Sequence, residues 1–459
     1  MAKPDRSRTV FICQQCGKES LKWLGRCPNC QQWNSFVETR VTVADSSSRA
    51  LSPVNPPQEL SQVASDTADR CPLPIAEFNR VLGGGLVPGS LVLIGGDPGI
   101  GKSTLMLQVS ALVAQTLGKV VYISGEETPR QIKLRAERLG VKGEGLYLLA
   151  ETDLDIILDQ IERLQPDLAL IDSIQTVQLS ELDASPGSVA QVRESASRLM
   201  QRAKLSAVPI LIAGHVTKDG AIAGPRVLEH IVDVVLYLEG EPFSAYRLLR
   251  CVKNRFGSTN EVGVFEMRDS GLVEVTNPSQ AFISQREGET IGSVVVATLE
   301  GTRPLLAEIQ ALTTPTSFGL PRRTVNGVDF GRLLLVTAVL TKRLGLKLGN
   351  QDIIVNVTGG LKVSEPAVDL GIALAVVSSA RDVGIDPTLV AIGEVGLTGE
   401  LRTVSQLERR IAEAARLGFK RCLVPKTSAR ISHKDIELLP ASNLREAVRV
   451  GLVKNKSKP

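Results

Sequence analysis

The sequence predicts an α/β protein in three parts: an N-terminal four-cysteine zinc module, a central P-loop domain built on a parallel sheet, and a C-terminal α/β domain. Three observations carry this. Four of the seven cysteines fall within residues 13–30. A glycine-rich loop, Gly96 to Thr104, lies between a short apolar run and a segment with helical spacing. Further short apolar runs then alternate with helix-like stretches, the pattern of a parallel sheet with right-handed crossovers.

The chain has 459 residues, enough for about three domains. Only 3% of residues are aromatic, against 43% hydrophobic, so the cores must be aliphatic. The formal charge of +4 equals the excess held by residues 1–36, where Lys3, Arg6, Arg8, Lys18, Lys22 and Arg26 face Asp5 and Glu19. No apolar run reaches the 18 residues of a membrane span. The N-terminus lacks the apolar stretch of a secretory signal, so a cytoplasmic location is expected, where thiols stay reduced.

Residues 1–36 hold Cys13-x2-Cys16-x10-Cys27-x2-Cys30. Each pair bends the chain so that two thiolates converge, and two pairs complete a tetrahedral sulfur shell suited to Zn²⁺. A redox dithiol is the competing reading. Four thiolates leave no open position, which argues for a structural role, and a module this small depends on its metal for folding. Its four aromatics, Phe11, Trp23, Trp33 and Phe36, are expected to pack on the ribbon rather than stack on bases, although one exposed ring could stack. Its basic surface is expected to contact DNA or a protein. Residues 37–72, rich in Ser and Pro, read as a linker.

The P-loop domain is expected over residues 73–277. Leu91 to Ile94 is a strand covered on both faces. Gly96-Asp97-Pro98-Gly99-Ile100-Gly101-Lys102-Ser103-Thr104 follows, then a helix from Lys102 to Leu117 with apolar residues at 105, 109, 112, 113 and 117. The loop matches G-x4-G-K-S/T in the strand–helix context that motif needs. Its backbone N–H groups would cradle a triphosphate, Lys102 would neutralise the β- and γ-phosphates, and Ser103 would offer its hydroxyl to Mg²⁺. A glycine-rich turn without ligand is the alternative.

Val120 to Ile123 and Leu168 to Ile171 are the next strands, and Asp172 ends the second as the Mg²⁺-orienting acid. Glu126 is favoured as the polariser of the attacking water, with Glu127 competing as a helix-start acid. Ile210 to Ala213 leads to His215, either a γ-phosphate sensor or a solvated loop histidine. Val234 to Leu238 is a further strand. Lys253-Asn254-Arg255-Phe256-Gly257 is a basic loop; its cations, at i and i+2 of an extended segment, point the same way. They could serve a phosphate or simply be solvated.

After about Asn277 the pattern changes. Val294 to Val296 and Ile353 to Val355 read as strands, Val368 to Val377 and Leu407 to Leu417 as helices, giving a separate domain over residues 278–459. The tail Lys454, Lys456, Lys458 is basic.

The four-cysteine module, GDPGIGKST, YISGEE (Tyr122 to Glu127) and KNRFG (Lys253 to Gly257), in that order, resemble the RadA (Sms) family of bacterial DNA repair proteins. The resemblance covers essentially the whole chain. It implies a RecA-like ATPase core and a C-terminal domain similar to the Lon protease domain. It also implies a cytoplasmic hexameric ring that uses ATP, Mg²⁺ and Zn²⁺, binds single-stranded and branched DNA beside a RecA-type recombinase, and promotes branch migration in recombinational repair. By motif, Lys253 and Arg255 would approach ATP bound between subunits, the segment Lys253 to Gly257 would couple the nucleotide to DNA, and Glu126 would be the catalytic glutamate. Against the Lon motifs, Ala367 stands at the nucleophile position (Asp369 if Gly371 sets the match) and Glu408 at the lysine position. Ser364 and Lys362 are nearby but outside the match. Proteolysis is therefore not expected, and the domain reads as an oligomerisation scaffold in which Arg303, Arg322, Arg323 and Lys342 would line a DNA path. The alternatives are a non-catalytic ATP-binding ring and an ATP-dependent protease.

Overall fold

The computed structural model describes residues 7–13, 18–29, 31–42, 59, 70–215, 225–240, 244–283, 288, 290–317, 319–427 and 431–453. Cys16, Cys30, most of the expected linker and the tail lysines lie outside them. The chain divides into two compact units, Met1–Glu274 and Val275–Pro459. Among the described residues no helix is long and apolar enough to cross a membrane.

In the first unit, a small sheet of β1 (Ser7–Cys13), β2 (Glu19–Ser20) and β3 (Phe36–Thr42) forms the cysteine module. β3 runs six residues past Phe36, into the stretch expected as linker. It pairs there with β8 (Leu182–Asp183) of the P-loop domain, Arg40 opposite Asp183.

The P-loop domain follows as α1 (Ala76–Leu82), β4 (Leu91–Gly96), α2 (Lys102–Thr116), β5 (Val120–Ser124), α3 (Pro129–Arg138), β6 (Leu146–Ala150), α4 (Leu154–Leu164), β7 (Leu168–Asp172), β8, α5 (Val189–Ser206), β9 (Ile210–His215), α6 (Pro225–Leu228) and β10–β13 (Val234–Glu239, Tyr246–Asn254, Val262–Arg268, Gly271–Glu274). One sheet runs β13-β12-β11-β10-β4-β9-β7-β5-β6. It is parallel from β10 to β6 and antiparallel from β10 to β13. Side chains alternate faces along β4. Val92 and Ile94 join a core with α1 and α2, while Leu91 and Leu93 join a second core with α4 and α5. Burial on both faces is why these strands read as unbroken apolar runs. The five strands expected from the sequence between residues 91 and 238 are present, and β6 joins them unannounced. The antiparallel edge β11–β13 is an addition.

The second unit holds α7 (Pro278–Ala281), β14–β17 (Thr290–Ile291, Ser293–Glu300, Arg303–Pro315, Arg323–Asn326), α8 (Phe330–Leu344), β18 (Gln351–Val357), α9 (Asp369–Arg381), β19–β22 (Gly384–Ile385, Leu389–Ala391, Glu394–Val395, Leu401–Arg402), α10 (Leu407–Arg416), β23 (Arg421–Pro425), β24 (Glu437–Ala441) and α11 (Leu444–Gly451). Its main sheet is β17-β18-β16-β15-β20-β23-β24, of mixed direction. Val295 and Ala297 of β15 face α10 in one core. Across the sheet, Gly371 brings α9 so close to β15 that any Cβ would collide with Val296. Both helices and both strands expected here are present.

Candidate functional site

The P-loop leaves β4 where the backbone must pass close to a neighbour. A Cβ on Gly96 would stand 2.6 Å from the Leu238 carbonyl oxygen, and Gly99 and Gly101 hold φ of 77° and 117°, so only glycine fits without strain. The loop opens α2, whose first turn carries no acidic residue, leaving its N–H groups and dipole for an anion. Lys102 is buried and folds back over the loop, Nζ donating to the carbonyls of Gly96 at 2.9 Å and Asp97 at 3.0 Å. Burial lowers its pKa, an effect opposed by Asp172, Asp97 and Glu126. From below, Arg247 of β11 donates from Nε to the Ile100 carbonyl at 3.2 Å.

The parallel register lines up the other candidates beside the loop. His215 lies opposite Gly96, and Ser124 opposite Asp172. Asp172 is buried, and its Oδ2 accepts a 2.6 Å hydrogen bond from the Tyr122 hydroxyl. Burial and the adjacent carboxylate push the Tyr122 pKa well above its ordinary value. Arg135 reaches Tyr122 at 3.4 Å and pairs with Glu127 at 2.5 Å.

The two glutamates are thereby separated. Glu127 is tied to Arg135, just ahead of the Thr128–Gln131 capping box that starts α3. Glu126 turns the other way: it accepts from the Ser173 hydroxyl at 2.8 Å and lies 3.7 Å from His215 Nε2. Burial, then the charge of Lys102, lower the His215 pKa. His215 is thus a half-buried neighbour of Lys102 and Glu126 rather than a solvated loop residue.

The KNRFG segment ends β11, and the register fixes where. Asn254 pairs with Val234, which pairs with Val92 near the start of β4. The P-loop leaves the other end of β4, four residues or about 13 Å further along. Lys253 and Arg255 do point the same way. Lys253 Nζ donates to the carbonyls of Glu229 at 2.5 Å and Val232 at 2.8 Å, and Arg255 pairs with Asp233 at 3.1 Å. Asn254 Nδ2 bonds the Leu82 carbonyl, and its Oδ1 accepts from Phe256 N–H. Gly257 is exposed beside them.

In the cysteine module, Cys13 and Cys27 are buried in one cluster with Phe36, against which Phe11 packs. Cys13 Sγ lies 3.2 Å from Ser35 Oγ, and the turn after Cys27 closes through Gln31 N to the Cys27 carbonyl at 2.9 Å. Two buried thiols from two turns fit the donor set of a thiolate-bound metal. Trp23 and Trp33 depart from expectation, being exposed rather than packed on the ribbon.

In the second unit an ion pair joins Arg410, two residues past Glu408, to Glu365, two residues before Ala367. Arg410 is fully buried and bidentate to Glu365 at 2.6 and 2.7 Å, with further bonds to the carbonyls of Ser405 and Ala297. Ala367 is buried, Glu408 is exposed on the first turn of α10, and Asp369 is buried and bidentate to Arg332 at 2.7 and 2.6 Å. Arg323 spends its guanidinium on the carbonyls of Leu348 and Gln351, while Lys342 is exposed in the last turn of α8.

Sequence reasoning missed Tyr122, Arg135, Ser173, Arg247 and Asp233. The polar Tyr122 inside an otherwise aliphatic strand, and the acid just before Val234, were the available signals.

Comparison with known proteins agrees with this architecture. Residues 11–38 match the model of a rubredoxin metal binding domain, residues 55–221 an AAA domain, and residues 316–428 subunit ChlI of Mg-chelatase. The chain is 53% identical to DNA repair protein RadA of Halalkalibacterium halodurans, over 97% of this chain and 99% of that protein. It is 51% identical to the same-named protein of Bacillus subtilis over 97% and 99%, and 53% identical to that of Listeria monocytogenes over 98% and 100%. The chain therefore belongs to the DNA repair protein RadA family.

Proposed function

We propose that this chain is a DNA-stimulated ATP hydrolase that binds single-stranded DNA, assembles as a homo-oligomeric ring, and uses ATP turnover to drive branch migration of recombination intermediates alongside a RecA-type recombinase. The supporting observation is the placement of its two phosphate-directed motifs. Lys253 and Arg255 stand at the opposite end of the sheet from the P-loop of their own chain. Cations that act on the nucleotide must therefore come from a neighbouring copy, which a head-to-tail ring supplies.

Within one site the roles divide by position. The P-loop N–H groups and the α2 N-terminus hold the phosphates. Lys102 exchanges its two carbonyl partners for phosphate oxygens, and Ser103 and Asp172 would hold Mg²⁺. Bound there, Mg²⁺ neutralises charge on the β- and γ-phosphates. Glu126, steadied by Ser173 and facing His215, orients and polarises the attacking water. Zn²⁺ held by Cys13, Cys16, Cys27 and Cys30 would stabilise the small module.

Protease activity has no support here. Alanine at position 367 has no nucleophilic atom, and Asp369 is held in its pair with Arg332. Glu408 has no donor to play the lysine's part.

Measuring ATP turnover with and without oligothymidine tests the reading. Turnover is expected to rise with the oligonucleotide and to vanish in Lys102→Ala. Glu126→Gln should bind ATP yet neither hydrolyse it nor move a branch point. If Glu126→Gln supported branch migration at the wild-type rate, an ATP-binding scaffold would be the better description.

A further inference from the structure

The zinc module turns its tryptophans to solvent. Trp33 is 68% exposed and Trp23 53%, with Leu21 at 74%. Phe11 and Phe36, by contrast, pack with Cys13 and Cys27. Leaving two indoles in water forgoes their burial energy, and exposed apolar surface of this kind marks a contact site.

Trp33 is also paired with a fixed charge. Arg26 and Trp33 face each other across an antiparallel bridge, with the guanidinium carbon 5.6 Å from the ring centroid. That guanidinium is pinned to Gln31, Nε to the carbonyl at 3.0 Å and Nη2 to Oε1 at 2.8 Å. The charge is held beside the ring rather than sweeping through solvent. Exposed Lys22 and Lys18 belong to the same module, and residues 1–36 carry six basic against two acidic residues.

Flat aromatic surface beside guanidinium and ammonium groups is the chemistry that holds unpaired nucleotides, bases stacking on rings and cations meeting phosphates. Duplex DNA keeps its bases stacked on one another and unavailable.

We infer that the module is a second single-stranded DNA contact, separate from the P-loop domain, in which a base stacks on Trp33 beside Arg26 and Trp23 supports a neighbouring nucleotide. This rests on the single-stranded DNA reading above and assigns particular residues to it.

The chain's only two tryptophans are Trp23 and Trp33, so intrinsic fluorescence reports on this surface alone. The experiment titrates full-length, zinc-loaded protein with oligothymidine while following tryptophan emission. A parallel titration follows the anisotropy of a fluorescein-labelled oligothymidine. Quenching is expected to track the anisotropy. Trp33→Ala, at an exposed position and with its zinc content verified, should weaken binding roughly 5- to 100-fold. Trp33→Phe should keep most of the affinity. Anisotropy that rises while wild-type tryptophan emission stays unchanged would overturn the stacking site and leave the DNA-binding reading intact. No rise in anisotropy would overturn both. Emission that responds to a RecA-type recombinase and not to oligothymidine would make the surface a protein-docking site, against the inference.

Discussion

The Tyr122 hydroxyl donates a 2.6 Å hydrogen bond to Oδ2 of Asp172, joining the middle of β5 to the acid that ends β7. One carboxylate oxygen is thereby committed to the protein and the group is oriented. Tyr122→Phe deletes that bond and the longer one from Arg135 at 3.4 Å, and keeps the wholly buried ring. Losing a hydrogen bond to a charged, buried acceptor costs about 1–3 kcal/mol. We expect kcat to fall roughly 10-fold and the Mg²⁺ concentration for half-maximal turnover to rise. ATP binding itself, which uses the P-loop and Lys102, should change little. A Mg²⁺ titration of turnover, paired with nucleotide binding measured separately, checks this.

His215 gives a pH dependence of definite sign. Burial and Lys102 lower its pKa, while Glu126 and Asp172 act in the opposite sense and do not win. The folded chain thus takes up this proton less readily than the unfolded chain, whose histidine titrates near 6.5. The stability tied to neutral His215 is complete above pH 6.5 and is lost as the pH falls from there through the lower, folded value. His215→Gln should remove that part of the acid sensitivity. Thermal unfolding at pH 7.5 and pH 5.5 should show a smaller drop in Tm for the variant than for the wild type.

Arg410 and Glu365 allow a stability test in the second unit. Arg410→Met leaves Glu365 without its guanidinium partner and should cost about 3 kcal/mol, read as a lower denaturant midpoint for this unit. Adding Glu365→Gln keeps an acceptor for the Leu299 N–H while removing the stranded charge. The double variant is expected to be more stable than Arg410→Met alone. Equal or lower stability would mean that the pair contributes little beyond packing.

Much of this was legible in the sequence because its signals are local. The strand Leu91–Ile94, the glycines of the loop and the spacing in α2 each follow from neighbours in the chain. What was missed depends on distant partners. In β11 the residues at 247, 249 and 251 are buried on one side, but the first is Arg247, so polarity hides the alternation. It is tolerable only because Arg247 finds the carbonyls of Ile100, Ser244 and Tyr246. Arg410 likewise reads as a surface residue of α10 until Glu365 is brought to it. The tryptophans misled in the opposite direction. A module this small has too little interior to bury Trp23 and Trp33, so the packing on the ribbon expected of them is not found.

The central claim is that an active site takes its P-loop from one chain and its KNRFG cations from another. Mixing two inactive variants, Lys102→Ala and Lys253→Ala, tests it most directly. In a random ring about a quarter of the interfaces pair an intact P-loop with an intact Lys253, so an equimolar mixture should recover about a quarter of wild-type, DNA-stimulated turnover. A mixture as inactive as its components, or a Lys253→Ala protein that turns over ATP at the wild-type rate, would contradict the account.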